Sequence, residues 1–128
     1  MKELTKAEEQ VMQVLWDLKK AFVKDIIEKL PEPKPAYNTV STIVRILEKK
    51  EFVSYKAYGK THEYYPLIQK DDYRSFSLRN LLGGYFGGSI ERLVSFFAKD
   101  NHMDIHELEE MMKYIKKDLN QQDNEPDI

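Results

Sequence analysis

A helix with two distinct faces runs straight into a basic hairpin between residues 37 and 66, and few folds accommodate that succession. In Tyr37-Asn38-Thr39-Val40-Ser41-Thr42-Ile43-Val44-Arg45-Ile46-Leu47-Glu48-Lys49-Lys50, the residues Val40, Ile43, Val44 and Leu47 recur at helical spacing as one apolar stripe. Asn38, Ser41, Thr42, Arg45 and Lys49 fall largely on the opposite side, which carries an amide, small hydroxyls and a guanidinium, with no acid before Glu48. Such groups hydrogen-bond to base edges and phosphate oxygens in a major groove. The run from Val53 to Tyr65 then alternates about a turn at Gly59, the pattern of a small hairpin.

Two further helices precede this pair. Thr5-Lys6-Ala7-Glu8 has the spacing of a capping box and starts a helix whose stripe is Ala7, Val11, Val14, Leu15 and Leu18, broadened by Met12 and Trp16. A link at Lys19-Lys20-Ala21-Phe22 leads to a second helix, Val23 to Leu30, with Val23, Ile26, Ile27 and Leu30 inward. Pro31, Pro33 and Pro35 then force an extended turn. The third helix is expected from about Asn38 to Lys50, and the hairpin from Phe52 to Tyr65, closed by Pro66-Leu67. Three helices and a hairpin make a winged helix-turn-helix, so the fold class is mostly α with a small β-hairpin wing. Residues 1–70 are its expected extent.

Charge divides the chain at the same place. Residues 1–70 hold 13 Lys/Arg against 10 Asp/Glu, whereas 71–128 hold 7 against 12, so the overall −2 conceals a basic half and an acidic one. Within 34–62, six bases face two acids, which concentrates positive charge on the third helix and the wing, where phosphate contacts need it. Cysteine is absent, which excludes disulfides and thiolate metal sites. No apolar run approaches the ~20 residues that span a bilayer. Met1-Lys2-Glu3-Leu4-Thr5-Lys6 leads into a charged helix rather than an apolar one, so a cytoplasmic protein with no direct membrane binding is expected.

Residues 71–119 are expected to form three helices that dimerise. The first opens at Asp71-Asp72 and carries Phe76, Leu78, Leu81, Leu82, Tyr85 and Phe86. Four of the five glycines then fall in Gly83-Gly84-Tyr85-Phe86-Gly87-Gly88, which reads as a helix end with a turn at Gly87-Gly88 or as a site of close helix approach across a dimer. Ser89 to about Lys99 carries Ile90, Leu93, Val94, Phe96 and Phe97. Asp104 caps a last helix to about Leu119 whose stripe is Ile105, Leu108, Met111, Met112, Ile115 and Leu119, and residues 120–128 are expected to be disordered. About fifty residues are too few to bury so much apolar surface alone, and a second copy would complete the core. A homodimer also places two reading helices about one DNA turn apart.

Arg45 is the prime candidate for a base contact, since a guanidinium bidentate to guanine is the commonest specific pairing; its alternative is an ion pair with Glu48. Asn38, Thr39, Ser41 and Thr42 are candidates for bases or phosphates, with Thr39 equally placed to serve the helix start. Lys49, Lys50, Lys56 and Lys60 are candidate phosphate contacts, and Tyr58 and His62 lie near the wing tip. His102, Asp104 and His106 have a ligand-like spacing, but Asp104 is better explained as an N-cap. No nucleophile–base constellation has supporting context, so neither catalysis nor a cofactor is expected. Two other readings share this pattern: a winged helix that binds protein and no DNA, and a regulator sensing a small molecule between Phe76, Tyr85, Phe86, Phe96 and Phe97.

The chain resembles the penicillinase and methicillin-resistance repressor family, which also includes copper-responsive repressors, from Leu4 to about Leu119. Leu4-Thr5-Lys6-Ala7-Glu8-Glu9-Gln10-Val11-Met12-Gln13-Val14-Leu15-Trp16 is similar to the family's L-T-x-A-E-x-x-V-M-x-V-L-W. Asn38 to Lys50 resembles its recognition-helix motif, and Tyr64-Tyr65-Pro66-Leu67 resembles the exit from its wing. The resemblance implies a dimeric repressor on a palindromic operator. In the antibiotic-responsive members it further implies a membrane sensor with a protease domain, and cleavage of the dimerisation helix at an Asn-Phe pair. That bond falls at Phe96-Phe97 here, without the Asn, and Glu51 stands where the family has glycine after the recognition helix. The cysteine motif of the copper-responsive members is absent.

Overall fold

A computed structural model describes residues 1–123, with side chains described through residue 118. It comprises two compact units, 1–70 and 71 onward. None of its described helices is long and apolar enough to cross a membrane.

The first unit contains α1 (Lys6–Leu18), β1 (Ala21–Phe22), α2 (Val23–Lys29), α3 (Tyr37–Lys49), β2 (Val53–Tyr58) and β3 (Thr61–Pro66). Thr5 caps α1 as expected: its hydroxyl accepts from the Glu8 N–H (3.2 Å) while the Glu8 carboxylate accepts from the Thr5 N–H (2.9 Å). The inward position at this end belongs to Glu8, only 4% exposed, whereas Ala7, expected in the apolar stripe, faces solvent. α1 ends where Lys19 turns left-handed (φ 72), and the chain then reverses into β1. The segment expected to be a plain link thus supplies a strand, with Ala21 paired to Tyr64 and Phe22 to Glu63. The wing is therefore a three-stranded antiparallel sheet in the order β1-β3-β2, not an isolated hairpin.

α2 is held at its start by the Asp25 carboxylate, which accepts from the Phe22 N–H (3.2 Å). At its end the Lys34 ammonium donates to the carbonyls of Glu28 (2.8 Å) and Leu30 (2.6 Å), which offsets the dipole there. Val40, Val44 and Leu47 of α3 are fully buried against Val11, Met12, Leu15 and Ile26, with Phe52 and Val53 completing the core. Ile43 of the expected stripe is only half-buried. α3 stops because Glu51 adopts φ 65, which lets the Phe52 N–H donate to the Leu47 carbonyl (2.9 Å) and sends the chain into β2. A non-glycine residue carries that turn at a steric cost. Gly59 (φ 64) makes the hairpin turn that its sequence position required.

The second unit holds α4 (Lys70–Tyr85), α5 (Ile90–Asn101) and α6 (Ile105–Asp123). α4 ends as its glycines suggested, with Gly87 (φ 59) and Gly88 (φ 79) turning the chain. Ser89 caps α5, accepting from the Arg92 N–H (3.1 Å), and Asp104 caps α6, accepting from the Glu107 N–H (2.9 Å). Arg74 on α4 meets Asp118 on α6 (3.4 Å), and Lys116 on α6 meets Glu91 on α5 (3.6 Å). α6 continues to Asp123, four residues into the stretch expected to be disordered; residues 124–128 lie outside the described residues.

Glu8 also accepts from the Lys50 ammonium at 2.7 Å, which joins the start of α1 to the end of α3. Burial pushes the Glu8 carboxyl up, but the Lys50 charge and hydrogen bond and the Thr5 N–H outweigh it and hold the group below its usual value of 4.5. Lys50→Ala should cost about 1–3 kcal/mol, because it strands a buried carboxylate, and calorimetry checks this as a lower Tm. A carboxyl whose folded pKa is depressed stabilises at pH above its unfolded value and loses that contribution as pH falls through the folded one. The unmodified protein should therefore lose stability on acidification below about pH 5 more steeply than Glu8→Gln does, read by denaturant titration across that range.

Candidate nucleic-acid interface

α3 presents its outer face to solvent because Val40, Val44 and Leu47 turn the opposite side into the core. Asn38, Thr39, Thr42, Arg45 and Lys49 are exposed there, and Ser41 is half-exposed. The Thr42 hydroxyl donates back to the Asn38 carbonyl (2.9 Å). Arg45 donates from Nη2 to the Ser41 hydroxyl (3.1 Å), one turn back on the helix surface, and so uses one of its five N–H donors. The helix begins at Ala36, which has no side chain to cap it, and Thr39 bonds only through its N–H to the Ala36 carbonyl (3.1 Å). Thr39 therefore does not serve the helix start through its side chain. No acid stands in the first turn, so the positive end of the helix dipole is not neutralised locally.

Between α3 and the wing lies an open cleft of about 780 Å³, with α2 forming its third wall. Ser41 and Arg45 line it from α3, and Tyr58, Lys60 and His62 from the wing, so five of the expected residues converge on one concavity. Asn38, Thr39, Thr42 and Lys49 lie on the exposed helix surface and do not line the cleft. Lys56 does not line the cleft; it is paired across the strands with Glu63, and its ammonium sits 5.3 Å from the Tyr58 ring centroid.

Lys50 needs correction. It was expected to contact phosphate, but its ammonium is bound to both Glu8 oxygens, at 2.7 and 3.0 Å. It closes α3 against α1 and drops out of the interface. The physical reason is that position 50 lies past the end of α3, where the chain turns inward.

The cleft also contains residues that sequence reasoning did not single out: Phe22, Lys24, Asp25, Tyr37, Glu48, Tyr55, Thr61 and Tyr64. Tyr55 and Tyr64 are cross-strand partners on one sheet face, and hairpin alternation about Gly59 was the signal that places them together. Phe22 carried no such signal, because a two-residue strand is too short to show a period. Tyr64 is only 5% exposed; burial, helped by the Glu48 charge and opposed by Arg45, pushes its hydroxyl above the usual range.

In the second unit, the residues expected to dimerise separate into two groups. Leu82 (4% exposed) and Val94 (0%) are already covered by their own chain and drop out of any external surface. Phe76, Phe86, Ile90, Leu93, Leu108, Met111, Met112 and Ile115 are half-buried. Leu81, Tyr85, Phe96 and Phe97 are exposed, Tyr85 by 80% and Phe96 by 62%. The Phe86 and Phe96 rings meet at 5.8 Å. Among the described residues no group of acids and histidines is placed to hold a metal; His106 lies 3.7 Å from Glu110.

The chain has relatives among known proteins. Residues 4–117 match the model of the penicillinase repressor family. The chain is 28% identical over 116 residues to the methicillin resistance regulatory protein MecI of Staphylococcus aureus strain N315, covering 90% of this chain and 94% of that protein. It is 27% identical over 110 residues to the penicillinase repressor of Staphylococcus aureus, covering 85% and 87%. The solved DNA-binding domain of the repressor BlaI aligns at 27% identity with a TM-score of 0.49, covering 57% of this chain and 94% of that one. This chain therefore belongs to the penicillinase repressor family and is a DNA-binding winged-helix transcriptional repressor, not an enzyme.

Proposed function

We propose that the protein acts in the cytoplasm as a homodimer on a palindromic operator, with α3 in the major groove and the wing against the adjoining backbone. The observation that carries this is the division of labour between the units: one spends its apolar residues on its own core and exposes a polar, basic face, while the other exposes aromatic rings. Arg45 reads a base; Asn38, Thr39, Ser41 and Thr42 contribute contacts to bases or backbone; and Lys49, Lys56, Lys60, Tyr58 and His62 contact the backbone. Residues 71–119 form the dimer interface through Phe76, Leu81, Tyr85, Phe86, Ile90, Leu93, Phe97, Leu108, Met111, Met112 and Ile115, which supply the apolar, aromatic and Met-rich character of an obligate interface.

Release from DNA follows cutting of α5 near Phe96-Phe97, downstream of a membrane sensor with protease activity. What supports this is family membership together with the exposure of both rings. A pocket between Phe76, Tyr85, Phe86, Phe96 and Phe97 is disfavoured by that same exposure, which leaves Tyr85 and Phe96 in solvent rather than around an enclosed space.

Selecting bound sequences from a random duplex pool tests the operator directly; an inverted repeat with half-sites about one helical turn apart is expected. Arg45→Ala should weaken the selected operator by about 1–3 kcal/mol and relax the preference at one base pair. Lys49→Ala should instead weaken all duplexes alike and lower the salt slope by about 0.9. Unchanged isotherms for both variants would remove α3 as the reading element. Phe97→Glu should convert the dimer to a monomer or unfold the second unit, and sedimentation equilibrium of the unmodified protein should show a dimer throughout the micromolar range.

A further inference from the structure

Among the ring contacts in the cleft, one is closer and flatter than the rest. The Tyr55 phenol and the His62 imidazole stack with centroids 4.0 Å apart and planes within 8°. Register explains the meeting: Tyr55 pairs with Tyr64 and Ala57 with His62, so both rings stand on one sheet face as diagonal neighbours. Tyr64 closes the arrangement edge-on, 6.2 Å from His62 and 5.7 Å from Tyr55. Tyr64 is itself anchored, being 5% exposed and paired with Ala21 of β1. The imidazole is thus held on a fixed platform within a concavity whose opposite wall carries Arg45.

The charges around it are nearly balanced before DNA arrives. Arg45, Lys24 and Lys60 supply positive charge, Glu48 and Asp25 negative charge, and the Asp25 carboxylate already accepts from the Phe22 N–H. The phenols of Tyr37, Tyr55, Tyr58 and Tyr64 complete the lining. A DNA phosphate entering this concavity adds negative charge with no compensating cation of its own. Histidine is the side chain whose charge changes between about pH 5 and 8, and a phosphate favours its cationic form.

We infer that Tyr55 is a positioning residue that holds His62 as a proton-linked phosphate contact, so that binding of duplex DNA takes up a proton at the wing. This rests on the DNA-binding orientation proposed above and assigns part of it to a residue outside the recognition helix. Because binding favours the protonated ring, affinity rises as pH falls.

The test is fluorescence anisotropy of a labelled mixed-sequence duplex, titrated with full-length protein across salt concentrations from about pH 8 to about pH 6. The unmodified protein should bind about three- to tenfold more tightly at the acid end, with a salt slope steeper by somewhat less than one unit. His62→Gln should lose that gain and bind with one slope throughout. Tyr55→Ala should lose most of it, while Tyr55→Phe, which keeps the stacking face, should retain it. Thermal melts establish that each variant is folded, and His62→Gln, altering a half-exposed group, carries the test if Tyr55→Ala is not. A flat profile for the unmodified protein, or a full pH response in His62→Gln, overturns the proton-linked contact. The second outcome would move the linkage to His102, His106 or the amino terminus. A full response in Tyr55→Ala overturns the positioning role alone. Absence of binding at every pH would sink the DNA-binding orientation too, whereas binding that ignores pH sinks only this inference.

Discussion

The Glu8 carboxylate ties the start of α1 to the end of α3. It caps the opening turn of α1 through Thr5, and it holds the Lys50 ammonium at the far end of α3, 42 residues away in the chain. Glu51 then takes its left-handed turn, and Phe52, fully buried, starts the wing. The anchoring of the end of α3 and the departure of the hairpin thus fall within three consecutive residues, Lys50 to Phe52. A buried ion pair is a modest source of net stability, since desolvation offsets much of its attraction. Its effect here is geometric: it holds the end of α3 against the start of α1.

That placement explains why the polar face of α3 can be so poorly satisfied internally. Val40, Val44 and Leu47 spend the apolar side on the core, and the outer side is left with hydroxyls and a guanidinium that bond only to neighbours on the same helix. Groups already desolvated and paired would have to break bonds before reaching a duplex. On the proposed docking, these would exchange water for bases and phosphates at little cost. In the second unit the surplus is apolar, and exposure of Tyr85, Phe96 and Ile105 at 60% or more of their surface is the signature of a face that water should not cover for long.

Periodicity made the helices and hairpin legible, since Val40, Val44 and Leu47, and the alternation around Gly59, are strong local signals. Caps at Thr5 and Asp104 were legible from a short polar residue with Glu three positions on, whereas the cap at Ser89 was not singled out. What escaped was long-range. Nothing near Lys50 announces a partner 42 positions earlier, so its charge looked free for phosphate. Two residues at Ala21-Phe22 show no alternation, so the strand they form depends on a β3 far along the chain. Ala7 and Glu8 exchanged roles because the ion pair, not hydropathy, decides which of them turns inward. Of the cleft, the contributions of α3 and the wing could be read from sequence, whereas the α2 wall could not.

Strand β1 has a mechanical meaning. By stitching the connection between α1 and α2 to the inner edge of the wing, it denies the hairpin the freedom to swing as a loose flap. The gap between recognition helix and wing is then a calliper of nearly fixed gauge. On the proposed docking, a duplex would have to bring its backbone to that gauge, and sequences whose local groove width or bendability meets it cheaply would be favoured even at steps no side chain touches.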